Sequence, residues 1–164
     1  MKWMAGAALA MMPALAGCAE AETQRAEDAV SRVVVQDRFA VRRSAVGFDA
    51  TLSRLLEALD RRDLTVFAVI DHAAAAQGAG AVLPPTTVVI FGNPQAGTPL
   101  MRAAPVMGAE LPLRALVYER GGEVFLAVTG MANLARAYPL DDEAAVVDRV
   151  AGALAEIADE VTAP

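Results

Sequence analysis

The chain has 164 residues, a formal net charge of −6 and 55% hydrophobic residues, a balance that predicts one globular domain. An acidic chain without a basic run excludes nucleic acid as an expected partner. The single cysteine excludes an intrachain disulfide, and the single histidine excludes the two- and three-histidine sites of typical zinc or non-haem iron enzymes, so we expect no metal and no cofactor.

The first 17 residues resemble the leader of a bacterial lipoprotein. Lys2 precedes an apolar stretch from Trp3 to Leu15, and Leu15-Ala16-Gly17-Cys18 places small residues directly before a lone cysteine, as a lipoprotein peptidase requires. The apolar stretch is too short to span a bilayer comfortably, which favours a leader over a membrane helix. The alternative is an ordinary secretory leader that happens to carry a cysteine.

Residues 18–30 are predicted to form a flexible tether, because the segment that follows Cys18 is small, polar and acidic. The resemblance to lipoproteins implies that Cys18 carries a diacylglycerol and an N-acyl chain, which together anchor a protein stably in a membrane. Ala19, where a retained inner-membrane lipoprotein carries aspartate, favours the outer membrane, facing the periplasm. The remaining residues, 31–164, are predicted to form a single α+β domain.

The first half of this domain is predicted to contain strands and a long helix. Arg32 to Val46 shows the partial alternation typical of a long, half-exposed strand. Asp49 is expected to cap a helix whose leucines form one apolar stripe. Leu64 to Ile70 and Thr86 to Phe91 are short apolar runs rich in β-branched residues, which indicate central strands.

Turn residues divide the rest of the domain. Asp71 is expected to cap a short helix from His72 to Gln77. Asn93-Pro94 is a strong helix-start signal, because asparagine is a good N-cap and proline suits the first helical position. Gly121-Gly122 predicts a hairpin, and the apolar stripe from Val146 to Val161 predicts a last helix. One mixed or mostly antiparallel sheet with helices packed on one face accommodates this order.

Six short motifs are spread over the predicted domain. They are Phe48-Asp49-Ala50-Thr51-Leu52, Ile70-Asp71-His72-Ala73, Leu83-Pro84-Pro85-Thr86-Thr87, Phe91-Gly92-Asn93-Pro94, Gly97-Thr98-Pro99-Leu100-Met101 and Leu111-Pro112-Leu113. Together they resemble the bacterial and archaeal domain of unknown function 302 family, in the family's order, over roughly residues 33–140. The resemblance implies a β-α-β(4)-α fold of the TATA-binding-protein-like class, and it implies no established reaction.

His72 is the first candidate for chemistry, in the role of a general base. It falls at the predicted start of a helix, where the helix dipole disfavours the imidazolium form and keeps a neutral ring near neutral pH. The alternative is a structural histidine that hydrogen-bonds a backbone carbonyl and holds the corner of the chain.

The second candidate is an anion-binding corner made of Gly92, Asn93, Gly97, Thr98 and Arg102. Free N–H groups at the start of a helix bind anions, and the hydroxyl of Thr98 and the guanidinium of Arg102 could add donors if both face inward. The alternative is a tight strand-to-helix turn that Asn93 and the glycines make for structural reasons.

The expected function is the binding of a small ligand or of an envelope protein, without chemistry. If the strands before His72 and Asn93 are neighbours, both residues are expected at one end of the sheet, where a pocket could bind a ligand that bears a carboxylate or phosphate. An enzyme with His72 as general base and Asn93 in an anion site is the alternative, although it lacks a nucleophile at recognisable spacing. A purely structural interaction module is the third interpretation.

Overall fold

The structure, a computed structural model, describes residues 38–164. The predicted leader, Cys18, the tether and the start of the first predicted strand lie outside the described residues. Within residues 38–164, no helix is both long enough and apolar enough to cross a membrane.

One five-stranded sheet forms the centre of the domain. Its strands are β1 (Phe39–Arg43), β2 (Thr65–Asp71), β3 (Thr86–Gly92), β4 (Leu113–Arg120) and β5 (Glu123–Thr129). Their order across the sheet is β1-β5-β4-β3-β2, and every neighbouring pair is antiparallel, which confirms the predicted sheet. Gly121 and Gly122 join β4 to β5 with φ angles of +62° and +79°, as a two-residue hairpin turn requires.

Helices connect and cover the strands. They are α1 (Phe48–Asp60), α2 (His72–Gly78), α3 (Pro94–Ala103), α4 (Met131–Ala135) and α5 (Ala144–Thr162), with 3-10 helices at Pro105–Ala109 and Asp141–Glu143. The order of strand, long helix, four strands and long helix, with the shorter helices between them, confirms the expected α+β arrangement.

The core lies between the sheet and the pair of long helices, α1 and α5, which pack on one face of it. Alternation along the inner strands sends every second side chain to this face, where Val89, Ala115 and Leu126 are fully buried. Leu55 of α1 and Ile157 of α5 are also fully buried, as their helical stripes predicted. On the opposite face, one in-register row of side chains crosses all five strands: Val41, Ala127, Leu116, Val88 and Ile70.

The start of α1 differs from the prediction that Asp49 caps this helix. Gly47 is the N-cap, without a side-chain hydrogen bond, and Asp49 lies in the first turn. The hydroxyl of Thr51 donates to the carbonyl oxygen of Gly47 over 2.9 Å and lies 2.8 Å from the hydroxyl of Ser44, so buried hydroxyls fasten this corner. Asp49 still favours the helix from its position, because negative charge is stabilising in a first turn.

β2 is an edge strand and not the central strand that its apolar run predicted. Phe67 is 54% exposed and Val69 is 48% exposed, whereas Val89, the register partner of Val69 on β3, is fully buried. The prediction was wrong because an apolar run shows that a strand is hydrophobic but does not show how many neighbours it has. The other predicted central strand, β3, does lie between two strands.

Candidate functional site

His72 and Asn93 lie at opposite ends of the sheet, so the expectation that they share one pocket is wrong. The strands that precede them, β2 and β3, are neighbours as supposed, but they are antiparallel. Asp71 pairs with Thr87 at one end, and Thr65 pairs with Gly92 at the other. On β3, the five residue steps from Thr87 to Gly92 separate the two ends by about 17 Å, at about 3.4 Å for each step.

His72 is exposed at the first position of α2. The predicted capping of this helix by Asp71 is confirmed, since the Asp71 carboxylate accepts a hydrogen bond from the Ala74 N–H over 2.9 Å. The carboxylate next to His72 in sequence is therefore engaged with the backbone. A general base needs a bound substrate within hydrogen-bond reach, and His72 does not line either of the two cavities that follow.

Asn93 is the N-cap of α3, as its position before Pro94 predicted. Its side-chain oxygen accepts a hydrogen bond from the Gln95 N–H over 2.8 Å. One of the backbone donors that would bind an anion at this helix start is therefore satisfied by the protein itself.

The other residues of the predicted anion corner surround an apolar space or lie away from it. Gly92, Asn93 and Gly97 line a cavity of about 80 Å³ beneath α3, together with core side chains such as Leu100 and Ile157. A Cβ on Gly97 would lie 3.4 Å from Leu111 Cδ1, so the side chain of Leu111 packs beside this glycine. Thr98 and Arg102 are not among the residues that line the cavity, and Arg102 is exposed in the last turn of α3.

A larger cavity, here called the arginine pocket, opens where β1 begins, β5 ends and β4 begins, and its volume is about 470 Å³. Arg38 precedes β1, Arg114 is the second residue of β4 and Arg136 follows α4, so three separate segments bring arginines to one place. The acidic residue of the pocket is Glu110, and the apolar wall is made of Phe39, Leu134 and Ala137.

Gly130 fixes the backbone at the edge of the arginine pocket. Its N–H donates to the carbonyl oxygen of Arg38 over 2.8 Å, and a Cβ on Gly130 would lie only 3.1 Å from the same oxygen. A glycine is therefore suited to this close approach of two backbone segments. Because Gly130 is also the N-cap of α4, it couples Arg38 to the helix that carries Asn133.

Glu110 is held by two hydrogen-bond donors and one further ion pair, from different parts of the chain. One carboxylate oxygen, Oε2, lies 3.3 Å from the Arg38 guanidinium and 3.8 Å from that of Arg114. The other, Oε1, accepts a hydrogen bond from the Tyr138 hydroxyl over 3.1 Å. The hydrogen bond to Glu110, followed by burial and the charge of Glu110, raises the pKa of Tyr138 above 10.0, while the charge of Arg38 lowers it in part.

Arg136 has a neutral partner, since its guanidinium donates to the side-chain oxygen of Asn133. No ion pair joins Arg136 to a carboxylate in the part of the chain that the structure describes. The residues that line the arginine pocket thus bring three guanidinium groups and one carboxylate together, which leaves two net positive charges. This concentration of positive charge occurs in a chain whose net charge is −6.

The sequence interpretation missed the arginine pocket because its charged residues share no motif. They come from four segments that only the folded chain brings together. One signal was present: Arg114 stands between the buried residues Leu113 and Ala115, so alternation places it on the face opposite the core. Alternation does not tell which other side chains occupy that face at the same end of the sheet.

Comparisons with known proteins identify relatives of the domain and of its fold. The family model described as "Domain of unknown function DUF302" matches residues 39–161. A crystal structure of an "uncharacterized conserved protein DUF302" from Bacillus stearothermophilus superposes with a TM-score of 0.67 at 20% identity, and it covers 75% of this chain and 97% of that one. At this identity the likeness shows the fold alone.

Two curated relatives are similar over a shorter segment. They are named "Fluoride-specific ion channel FluC 1", from Brucella suis biovar 1 and Brucella abortus biovar 1, and each is 44% identical over 91 residues. The segment is 55% of this chain and 36% and 34% of the relatives. The match therefore spans about a third of the length of these relatives.

Proposed function

The chain belongs to the family described as domain of unknown function DUF302, and we propose that its domain is a binding module for a small carboxylate or phosphate, which it takes in the arginine pocket. The observation that carries the proposal is the presence of Arg38, Arg114 and Arg136 around one cavity of an acidic chain. A planar guanidinium offers paired N–H donors that match the oxygens of carboxylates and phosphates, so an oxyanion fits this set of side chains.

Binding without chemistry suits the polar groups of the pocket. The Thr129 hydroxyl accepts from the Arg114 N–H over 3.0 Å and donates to the Arg114 carbonyl oxygen over 3.1 Å, so it ties β5 to β4 instead of facing a ligand as a nucleophile. Glu110 is engaged with Arg38 and Tyr138. The guanidinium groups remain charged at any ordinary pH, so they bind anions but do not accept protons.

Fluoride is the anion that the names of the curated relatives suggest, and the size of the pocket argues for a larger ligand. A volume of about 470 Å³ falls within the roughly 300–1,000 Å³ of small-molecule sites. A single water molecule takes up about 30 Å³ of the liquid, and a monatomic anion of similar size would leave most of the cavity to solvent. Fluoride therefore serves as the comparison probe.

We also propose that the module works in the cell envelope on a lipid-anchored chain. The support lies in the sequence, where small residues directly precede Cys18 after a short apolar stretch. Acyl chains on Cys18 would hold the domain at the membrane, and Ala19 favours the outer membrane, facing the periplasm. The lipid on Cys18 would thus make the membrane a partner of the chain.

Thermal unfolding of the full-length chain with increasing acetate, phosphate or fluoride, at constant ionic strength, tests the binding proposal. We expect acetate and phosphate to raise Tm in a saturable manner. Arg136→Gln should reduce the rise, most of all with phosphate, whereas Arg102→Gln, the matched control at the exposed arginine of α3, should keep it. A rise that depends on Arg102 would move the site to α3, and no rise with either oxyanion would refute the proposal.

A module that docks on a membrane channel is the second candidate function. The observation in its favour is that the two curated relatives, which are named as ion channels, contain the matching segment within chains about three times as long as that segment. A domain that is joined to a channel in one protein can act as a separate subunit in another. Cross-linking of the full-length chain in membranes, followed by mass spectrometry, should recover a multi-spanning membrane protein, and recovery of the monomer alone would contradict this candidate.

A further inference from the structure

We infer that the arginine pocket selects dianions over monoanions, so that its ligand is a small dicarboxylate or a phosphate dianion. The inference rests on the proposed function, because it specifies the ligand class of the same pocket. Its basis is the charge balance of the lining side chains, in which three guanidinium groups face one carboxylate. A ligand with two negative charges neutralises the net charge of these side chains, whereas a monoanion leaves one positive charge uncompensated.

Glu110 offsets one positive charge of the pocket. It bridges Arg38 and Arg114 through Oε2 and accepts the Tyr138 hydroxyl at Oε1. Its side chain is only 20% exposed, and hydrogen bonds from Arg38 and Tyr138 hold it in place. Each guanidinium has five N–H donors, so Arg38 and Arg114 keep donors for a ligand while they share one carboxylate.

Arg136 provides the positive charge that no carboxylate among the described residues of the pocket balances. Its guanidinium is oriented by a neutral amide oxygen, that of Asn133, which fixes the side chain without cancelling its charge. One anionic group of the ligand therefore pairs with Arg136, and the second pairs with the donors that Arg38 and Arg114 retain. Arg136 is accordingly the residue that determines the preference for dianions over monoanions.

Dicarboxylates and phosphates share this chemistry, and pH distinguishes them. A phosphomonoester has a second pKa near 6, so its dianion becomes dominant only as the pH rises from about 5 to about 7. Single carboxyl groups have pKa values near 4. In fumarate a trans double bond holds the two carboxylates apart, so both ionise close to this value and fumarate is a dianion over most of this interval. The dicarboxylate also controls for any titration of Glu110 and Tyr138, the titratable groups that face the arginines.

Calorimetric titration of the full-length chain with succinate, methyl phosphate and acetate, at constant ionic strength, tests the inference. We expect succinate and methyl phosphate to bind about three- to fivefold more tightly than acetate at pH 7, the change that one more partly exposed charge pair gives. Methyl phosphate should lose affinity toward pH 5, whereas fumarate, titrated in parallel, should keep its affinity. Glu110→Gln, which leaves a third net positive charge, should strengthen the binding of all three anions.

Arg136→Gln should reduce the preference for the dianions to nearly none, and Arg136→Lys, which keeps the charge, should restore most of it. Arg102→Gln is the control arginine substitution and should leave the preference unchanged. Circular dichroism of each variant separates a lost charge from a lost fold. Equal affinity for acetate and succinate in the unmodified chain would overturn the inference while the proposed function stands, and a lack of binding by all three anions would overturn both.

Discussion

At the scale of single residues, Glu110 organises the arginine pocket although its charge is the same as that of the proposed ligand. Two guanidinium groups that approach the same point repel each other, and a carboxylate between them removes most of this cost. Glu110 lies between Arg38 and Arg114 in this way, and the Tyr138 hydroxyl donates a hydrogen bond to its other oxygen. The pocket is therefore preorganised by an internal anion before any ligand enters.

Removal of the Glu110 charge should be visible at Tyr138. In Glu110→Gln we expect the pKa of Tyr138 to fall toward 10.0, because the hydrogen bond to the carboxylate is the largest cause of its elevation. A spectrophotometric titration of tyrosinate measures this shift. Tyr118, the second of the two tyrosines, has a pKa that burial raises, so its signal would overlap that of Tyr138. Tyr118→Phe, made both in the unmodified chain and in the Gln variant, removes this signal. An unchanged pKa for Tyr138 in the Gln variant would contradict this account of the network.

Asn93 acts as a helix cap, and its substitution distinguishes this role from that of an anion ligand. Asn93→Ala should lower the free energy of unfolding by about 1 kcal/mol, the usual cost of a lost N-cap, and leave anion binding in the arginine pocket unchanged. Urea unfolding measures the first effect and calorimetry the second. Asn93→Ser should restore most of the stability, because serine caps a helix equally well. A loss of anion binding without a loss of stability would favour the anion corner.

At the scale of elements, the antiparallel pairing of β2 and β3 decides where chemistry can occur. Consecutive antiparallel strands carry their following turns at opposite ends of a sheet, so His72 and Asn93 cannot meet even though their strands are neighbours. The same topology brings the end of β5 beside the starts of β1 and β4, which is where the arginine pocket opens. The direction of each strand therefore matters more to the site than its composition.

Val69 and Val89 test the difference between an edge strand and an inner strand, because they are register partners on β2 and β3. Val89→Ala should cost about 2 kcal/mol of unfolding free energy, since a fully buried side chain loses two methyl groups and leaves a cavity. Val69→Ala should cost less than about 1 kcal/mol, because half of this side chain is already in water. Denaturant unfolding of both variants gives the comparison. Equal losses would indicate that β2 is covered in solution.

At the scale of the whole molecule, we propose separate tasks for the domain and for the predicted anchor. The helices α1 and α5 bury one face of the sheet, and the arginine pocket lies at the end of the same sheet. Both features belong to residues 38–164, and Cys18 lies outside these described residues. Anchoring and ligand binding should therefore be separable.

Substitution of Cys18 by serine tests this separation. We expect Cys18→Ser to abolish incorporation of labelled palmitate and to release the chain from the membrane fraction, because serine offers no thiol for a thioether. Tm and the affinity for succinate should remain those of the unmodified chain. Labelled palmitate in the serine variant would refute lipidation at Cys18.

The sequence by itself determined the class of fold and most of its local structure. The caps at Asp71 and Asn93, the Gly121-Gly122 hairpin and the apolar stripe of α5 depend on neighbouring residues, so a linear pattern carries them. For Asn93 the sequence left two interpretations open, an anion ligand and a structural turn residue, and the confirmed capping role agrees with the second.

Only the tertiary structure decided which strand lies at the edge and which side chains meet. The exposure of Phe67 follows from the place of β2 in the sheet, and the approach of Arg38 and Arg114 to Glu110 follows from strand direction and from the junction at Gly130. Pairing between distant segments depends on the packing of the whole chain, because no residue determines by itself which distant residue will lie beside it. For that reason the turns of this protein could be predicted from the sequence, whereas the arginine pocket could be identified only from the tertiary structure.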